Sequence, residues 1–107
     1  MENLELVSFK IISSVGMAKS SYIESMKMVE NGDLNLANEK IKEGDKFFTE
    51  GHNAHSELIQ QEANGNSVTP TILLMHAEDQ LMSAEIIKIM AKEIIKLNGR
   101  IQNLEDK

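Results

Sequence analysis

Hydrophobic residues recur every three or four positions along most of this chain, a spacing that places them on one face of an α-helix. Two polar, glycine-containing stretches interrupt the pattern, Asn31-Gly32-Asp33 and Asn64-Gly65-Asn66-Ser67. The pattern therefore predicts three long helices, over approximately residues 4–30, 33–63 and 70–103. In the first of them the apolar positions are Ile11, Val15, Ala18, Tyr22, Met26 and Val29.

The second predicted helix begins at Asp33, whose side chain can accept a hydrogen bond from an unpaired amide in the first turn. Just before it, Asn31 or Gly32 can take the left-handed conformation that ends the first helix. Gly44 and Gly51 lie on the apolar face, where each glycine lowers helix stability by roughly 1 kcal/mol relative to alanine. Their position favours close approach of another helix, and the alternative is a kink or a break. This face contains Leu34, Ala37, Ile41, Gly44, Phe48, Gly51, His55, Leu58 and Glu62.

The third predicted helix opens with Thr69 as its capping residue and Pro70 at the first helical position. Each predicted helix has about 30 residues and a length of roughly 45 Å. Because the connections are short, consecutive helices must lie side by side in opposite directions. We therefore expect an all-α fold, an antiparallel up-down-up three-helix bundle that forms a single domain over residues 1–107.

The third predicted helix carries more apolar surface than two neighbouring helices can cover. One face suits the core of the bundle and contains Leu73, Ala77, Leu81, Ala84, Ile87, Ala91, Ile94 and Ile101. A second face, here named the outer face, contains Ile72, Met75, His76, Asp79, Met82, Ser83, Ile86, Ile89, Met90 and Leu97. In a lone bundle the outer face would be exposed to solvent, and exposed apolar surfaces of that size mark interfaces. We expect a homo-oligomer in which the third helices of the subunits pack near a symmetry axis.

The composition agrees with an all-α protein and excludes several kinds of function. Of the 107 residues 41% are hydrophobic but only 4% are aromatic, and there is one proline. The chain has no cysteine, so it can use neither a disulfide framework nor a cysteine nucleophile. The net charge of −6 argues against nonspecific nucleic-acid binding and favours a basic partner. The absence of a long apolar run, and of a signal-peptide pattern over the first residues, favours a cytoplasmic protein.

Four polar residues of the third helix, His76, Asp79, Gln80 and Ser83, are spaced so that they share one helical face. Imidazole is nucleophilic and titrates near neutral pH, so His76 is a candidate to accept a phosphoryl group and pass it on. Gln80 and Ser83 could form hydrogen bonds with a phosphoryl oxygen or with His76. The alternative for His76 is a buried histidine that is hydrogen-bonded to a neighbour.

Asp79 lies one turn beyond His76, and its copies would converge if the third helices lay along a symmetry axis. Carboxylates that are brought together cannot all ionise cheaply, so they either share protons or bind a hard cation such as Mg²⁺. The alternative is an ordinary solvated aspartate that orients His76.

The other titratable residues near this helix are expected to have no direct chemical role. His52 and His55 are expected to be structural, because two histidines three residues apart make a poor zinc site without a third ligand. Glu78 is expected to point away from His76 into solvent. The sequence contains no glycine-rich phosphate loop, no Ser/His/Asp triad pattern and no internal repeat.

Three stretches of the sequence resemble those of one protein family. Residues 73–82, LLMHAEDQLM, resemble the active-site helix of the IIA component of the bacterial phosphoenolpyruvate-dependent sugar phosphotransferase system, lactose/cellobiose (chitobiose) class. Residues 54–63, AHSELIQQEA, resemble the end of that family's second helix, and residues 32–37, GDLNLA, resemble its first corner between helices. The stretches occur in the order of the family, and the resemblance covers essentially the whole chain.

The resemblance implies a homotrimer of three-helix subunits that acts as a phosphotransferase component, a phosphohistidine relay. In this relay His76 accepts the phosphoryl group from phospho-HPr and passes it to a cysteine of the cognate IIB protein or domain. The relay serves the uptake and phosphorylation of a β-linked disaccharide of the lactose, cellobiose or chitobiose type, and it meets the membrane only through the IIC component.

The resemblance also implies roles for the residues around His76. Asp79 and its symmetry copies are implied to coordinate one divalent cation per trimer, with Mg²⁺ as the expected ion. Gln80 departs from many relatives, which have histidine or another residue there. Glu78 stands where glutamine is common, which need not change the chemistry.

Two other interpretations of a histidine on a long helix stay open at this point. A histidine phosphotransfer domain of two-component signalling has lysine and glycine shortly after its histidine, where this chain has Ala77, Glu78 and Asp79. A non-catalytic helical assembly module predicts a stable oligomer in which His76 can be changed to alanine without loss of function. Phosphorylation of this chain by HPr would distinguish the sugar relay from both alternatives. The sequence does not specify the sugar, because a IIA protein contacts proteins and phosphate and not the disaccharide.

Overall fold

A computed structural model describes residues 3–107, which form three α-helices. α1 spans Leu4–Glu30, α2 spans Leu34–Ala63 and α3 spans Ile72–Glu105. Helices of this length, joined by short connections, fit a rod of 60 × 20 × 19 Å because consecutive helices run in opposite directions. The predicted all-α, up-down-up three-helix bundle is confirmed, and α1 and α3 run parallel to each other. Over residues 3–107, no helix combines the length and the apolar character that a membrane crossing requires.

The turn between α1 and α2 uses the residues that the sequence predicts. Gly32 takes the left-handed conformation, with φ of 87°, so the glycine rather than Asn31 reverses the chain. The side chain of Asp33 then accepts a hydrogen bond of 3.0 Å from the amide of Leu36, which confirms Asp33 as the N-cap of α2.

The start of α3 differs from the prediction. The hydroxyl of Thr71 accepts a hydrogen bond of 3.1 Å from the amide of Leu74, so α3 begins at Ile72 and not at Pro70. Thr69-Pro70 therefore belongs to the connection, where the residue before a proline is restricted to extended conformations. The prediction failed because either threonine can cap a helix, and sequence alone does not choose between them.

The core lies around α1, and it also differs slightly from the prediction on α3. The face predicted for the core is buried at Ala77, Leu81, Ala84 and Ala91. Leu74 is buried although it was not predicted to be, while Ile101 is 50% exposed. Ile101 lies at the end of the bundle, beside the turn that follows α1, where fewer side chains can cover it.

Two glycines of α2 allow α1 to approach closely. A Cβ atom built on Gly44 would lie 2.6 Å from Cε1 of Tyr22, and one on Gly51 would lie 2.7 Å from Cγ1 of Val15. Both distances are shorter than real carbon contacts allow, so a larger residue would force the facing side chain or the helices to shift. α2 continues unbroken from Leu34 to Ala63. Close approach is therefore confirmed, and the alternative of a broken second helix is wrong.

One carboxylate of α2 connects all three helices. The hydroxyl of Tyr22 on α1 donates a hydrogen bond of 2.6 Å to Oδ1 of Asp45. From α3, Nζ of Lys92 lies 3.2 Å from Oδ2 of Asp45, and Nζ of Lys88 lies 3.7 Å from Oδ1. Lys88 also lies over the ring of Phe48 at 4.7 Å.

Tyr22 is the chain's single tyrosine, so its titration can be followed by tyrosinate absorbance alone. Burial raises the pKa of the Tyr22 phenol far above its ordinary value, and the hydrogen bond to Asp45 and that carboxylate's charge raise it further. We expect the folded protein to show no tyrosinate at about pH 11, and the urea-unfolded chain to titrate near pH 10.

The same shift makes the stability depend on pH in one direction. The unfolded chain loses the tyrosine proton near pH 10, while the folded chain keeps it. The free energy of unfolding should therefore fall above about pH 10. Below that pH, Tyr22 should not change it. Asp45→Asn should lower the titration midpoint of the folded protein. A midpoint near pH 10 in the folded wild type would contradict the buried hydrogen bond.

Candidate functional site

The polar residues predicted to form the site lie within the unbroken helix α3. His76 and Asp79 are exposed, whereas Gln80 and Ser83 are half-buried. Residues three, four and seven positions apart lie on one side of a helix, so α3 holds these four side chains on one side. Their chemical roles stay predictions at this point.

The outer face of α3 is uncovered in the single subunit. Its apolar side chains are more than half exposed, from 53% for Leu97 to 86% for Ile72. The other members in this range are Met75, Met82, Ile86, Ile89 and Met90. The polar site residues therefore border a long apolar surface that the subunit itself does not bury.

α1 also leaves apolar side chains exposed, which the sequence analysis did not predict. Leu6, Phe9, Met17 and Ile23 are 41–64% exposed. Leu6 and Phe9 show the three-residue spacing that could have indicated a second face, but Ser13 and Ser20 interrupt it.

The imidazole of His76 is accessible. The residue is exposed on the surface of the single subunit. The alternative of a buried histidine held by a neighbour is therefore wrong. An exposed imidazole with a free nitrogen lone pair is available to attack a group that a partner protein presents.

Gln80 is held by a residue that the sequence analysis missed. Nζ of Lys19 on α1 lies 2.5 Å from Oε1 of Gln80, and the pair is partly buried. The ammonium group is a donor only, so it must meet the amide oxygen, and the amide NH₂ of Gln80 faces elsewhere. Lys19 follows the apolar position Val15 by one turn, but no spacing within α1 indicates its partner 61 residues away.

Glu78 is partly exposed, as expected, and it also contacts α2. Its Oε2 lies 2.7 Å from Nε2 of His55, whose side chain is 19% exposed. The contact joins α2 and α3 close to the level of His76. The Glu78 side chain is still 44% exposed, so the prediction that it meets solvent agrees with the structure, and its contact with His55 is what the sequence did not predict.

His52 does not belong to the site. It is exposed on α2, and its ring lies 6.1 Å from that of Phe48. Over residues 3–107 no three His, Cys, Asp or Glu side chains lie close enough together to hold a metal ion. The divalent cation that the resemblance implies would instead be shared between subunits.

Asp79 has the properties that such a shared site requires. The residue is exposed and lies among the apolar positions of the outer face. Carboxylate oxygens are the ligands that hard cations prefer. The residue therefore fits a divalent cation in chemistry and in accessibility.

Known proteins match this chain over nearly its whole length. The family model described as "PTS system, Lactose/Cellobiose specific IIA subunit" matches residues 6–98. The lichenan-specific phosphotransferase enzyme IIA component of Bacillus subtilis (strain 168) is 37% identical over 100 residues, which cover 94% of this chain and 91% of that protein. The PTS system lactose-specific EIIA component of Staphylococcus aureus (strain N315) is 29% identical over 99 residues, covering 92% and 96% of the two chains.

The fold agrees with solved structures of similar proteins. The crystal structure of the PTS cellobiose-specific enzyme IIA from Bacillus anthracis superposes with a TM-score of 0.89 at 31% identity, covering 96% of this chain and 95% of that one. That of PtcA from S. mutans gives 0.88 at 28% identity, covering 92% and 99%. The sequence match and the shared fold lead to one conclusion: this chain belongs to the lactose/cellobiose-specific IIA family, the phosphotransferase components that relay phosphoryl groups in sugar uptake.

Proposed function

We propose that His76 is the residue of this IIA component that carries the phosphoryl group. The observation that supports it most is the environment of the imidazole, which is exposed, flanked by polar side chains and bordered by uncovered apolar surface. The other two histidines lie on α2 and lack this setting. His55 contacts Glu78, and the ring of His52 lies beside that of Phe48. The resemblance of residues 73–82 to the active-site helix of the family agrees with this choice.

In the proposed relay, a ring nitrogen of His76 attacks the phosphorus atom that phospho-HPr presents. The new P–N bond forms as the bond between phosphorus and HPr breaks, and the electron pair of the broken bond stays with HPr. The second ring nitrogen of His76 releases its proton to solvent, which balances the proton that HPr takes up. In the next step the thiolate of a IIB cysteine attacks the same phosphorus and the P–N bond breaks. The electron pair stays on the imidazole, which takes a proton back from solvent, and His76 is regenerated.

Two half-buried side chains are placed to assist. Gln80 follows His76 by one turn and Ser83 by two turns, so both can face a phosphoryl group on the imidazole. The amide NH₂ of Gln80 and the hydroxyl of Ser83 are hydrogen-bond donors, which suits phosphoryl oxygens. Their function in this proposal is to bind and orient, since phosphoryl transfer depends mostly on positioning and charge stabilisation.

The outer face supports a homotrimer in which α3 of each subunit lies near the axis. A surface this apolar is typical of an interface, and a second and third copy can cover it with like surface. The three Asp79 carboxylates would then approach one another and could hold one divalent cation, with Mg²⁺ the expected ion. When bound, the ion would neutralise charge between the subunits and need not take part in the transfer.

The partners proposed are HPr as donor and a IIB protein or domain as acceptor, with a β-linked disaccharide of the lactose, cellobiose or chitobiose type as the transported sugar. We place the protein in the cytoplasm, in contact with the membrane only through IIC. The net charge of −6 supports a basic docking partner and does not favour a nucleic acid.

His76→Ala should abolish phosphoryl acceptance and leave the fold and the oligomer intact, because an exposed side chain is removed. The measurement is intact mass after incubation with phosphoenolpyruvate, enzyme I and HPr, with size determined in parallel. Wild type should gain one acid-labile phosphoryl group. His52→Ala is the matched control and should still gain it. Phosphorylation of the His76→Ala protein would reject His76 as the acceptor.

Asp79→Leu should preserve the trimer and raise the melting temperature in metal-free buffer, because a cluster of like charges is replaced by apolar packing. Asp79→Asn, which removes the charge at nearly constant size, separates the two contributions. Added Mg²⁺ should raise the melting temperature of wild type but not that of either variant. Dissociation of the Asp79→Leu protein, or a sharply lower melting temperature in metal-free buffer, would contradict the proposed arrangement.

A further inference from the structure

A lysine from a different helix lies beside the candidate phosphoryl site. We propose that Lys19 of α1 binds the phosphoryl group on His76, and that Gln80 holds the ammonium group in place until the phosphoryl group arrives. This inference rests on the proposed function of His76. Lys19 would add a positive charge to the site. The predicted site residues of α3 do not supply one.

The geometry places the ammonium group within reach of His76. Nζ of Lys19 contacts Oε1 of Gln80 at 2.5 Å, and Gln80 lies one helical turn after His76, where side-chain Cβ atoms are roughly 5–6 Å apart. A lysine side chain has four rotatable bonds, so its ammonium group can turn from Gln80 towards a group one turn away while the backbone stays in place.

The partner of Lys19 leaves its charge unneutralised. Lys40, Lys88, Lys92 and Lys96 contact carboxylates, whereas the amide oxygen that Lys19 contacts is neutral. A doubly charged phosphoryl group is a much stronger acceptor for an ammonium group than a neutral amide is. We infer that the ammonium group changes partner when His76 is phosphorylated, and that the amide of Gln80 is then free to contact the phosphoryl group too.

The charges around His76 make such a cation useful. Asp79 follows it by one turn on the same helix, and the chain as a whole carries −6. A phosphoryl group that arrives beside this carboxylate is destabilised by like charge. Lys19 offsets that repulsion, and a glutamine at position 80 serves this purpose better than a carboxylate, which would bind Lys19 permanently.

The first test compares Lys19→Gln, Lys19→Arg and wild type in the rate of phosphoryl gain from phospho-HPr, measured by intact mass over time. We expect Lys19→Gln to be slower by roughly ten- to a hundredfold, the loss typical of a hydrogen bond to a charged group. Lys19→Arg, which keeps the charge, should recover most of the rate. Lys27→Gln on the exposed side of α1 is the matched control and should react like wild type.

Further measurements distinguish a phosphoryl-binding role of Lys19 from a merely structural one. The ³¹P chemical shift of phosphorylated His76 should differ between wild type and Lys19→Gln, while their melting temperatures and oligomeric states should agree. Gln80→Glu, which keeps Lys19 in an ion pair, should also slow the transfer, and it provides a second variant should Lys19→Gln fold poorly.

The outcomes that overturn the inference are distinct from those that overturn the relay. Rates and ³¹P shifts that are the same in wild type, Lys19→Gln and Lys27→Gln would reject Lys19 as a phosphoryl-binding residue and leave His76 in place. A Gln80→Glu protein as fast as wild type would reject the change of partner. Failure of wild type to accept any phosphoryl group would reject the function of His76 and, with it, this inference.

Discussion

The packing of the Tyr22 ring against Gly44, with its hydroxyl on Asp45, is the constraint on which the rest of the structure depends. It fixes how close α1 and α2 can lie, since neither a larger residue at 44 nor a different rotation of α1 would allow the contact. Asp45 extends the same constraint to α3 through Lys88 and Lys92. Because Tyr22 and Lys19 lie on adjacent turns of α1, the rotation that seats the ring also brings Lys19 to Gln80.

α3 separates two tasks onto two faces. Its inner face, built from small and medium apolar residues such as Ala77 and Ala84, packs closely and holds the helix in place. Its outer face keeps large side chains exposed and has His76 at its border. A rigid helix with a buried side positions an exposed imidazole better than a loop would, which suits the role proposed for His76.

Much of the fold could be predicted from the sequence, and the contacts between helices could not. The periodicity located three helices, Asp33 was correctly identified as a cap, and the glycines at 44 and 51 correctly indicated close approach. Helical spacing also grouped the polar residues of α3. The contacts of Lys19 with Gln80 and of His55 with Glu78 depend on how the helices are rotated and aligned, and one sequence does not encode that in any local pattern.

The distance along the chain between Lys19 and Gln80 has a consequence for folding. The two residues are 61 positions apart, so the pair forms only after α2 has turned back and α3 has docked alongside α1. Contacts between residues so far apart in the sequence form late in folding, because a long loop must be ordered first. Helix α3 with its histidine can exist before that moment, but the contact of Lys19 with Gln80 cannot. A chain emerging from the ribosome would therefore contain His76 before Lys19 is in place, and the proposed phosphoryl site would be complete only in the finished bundle.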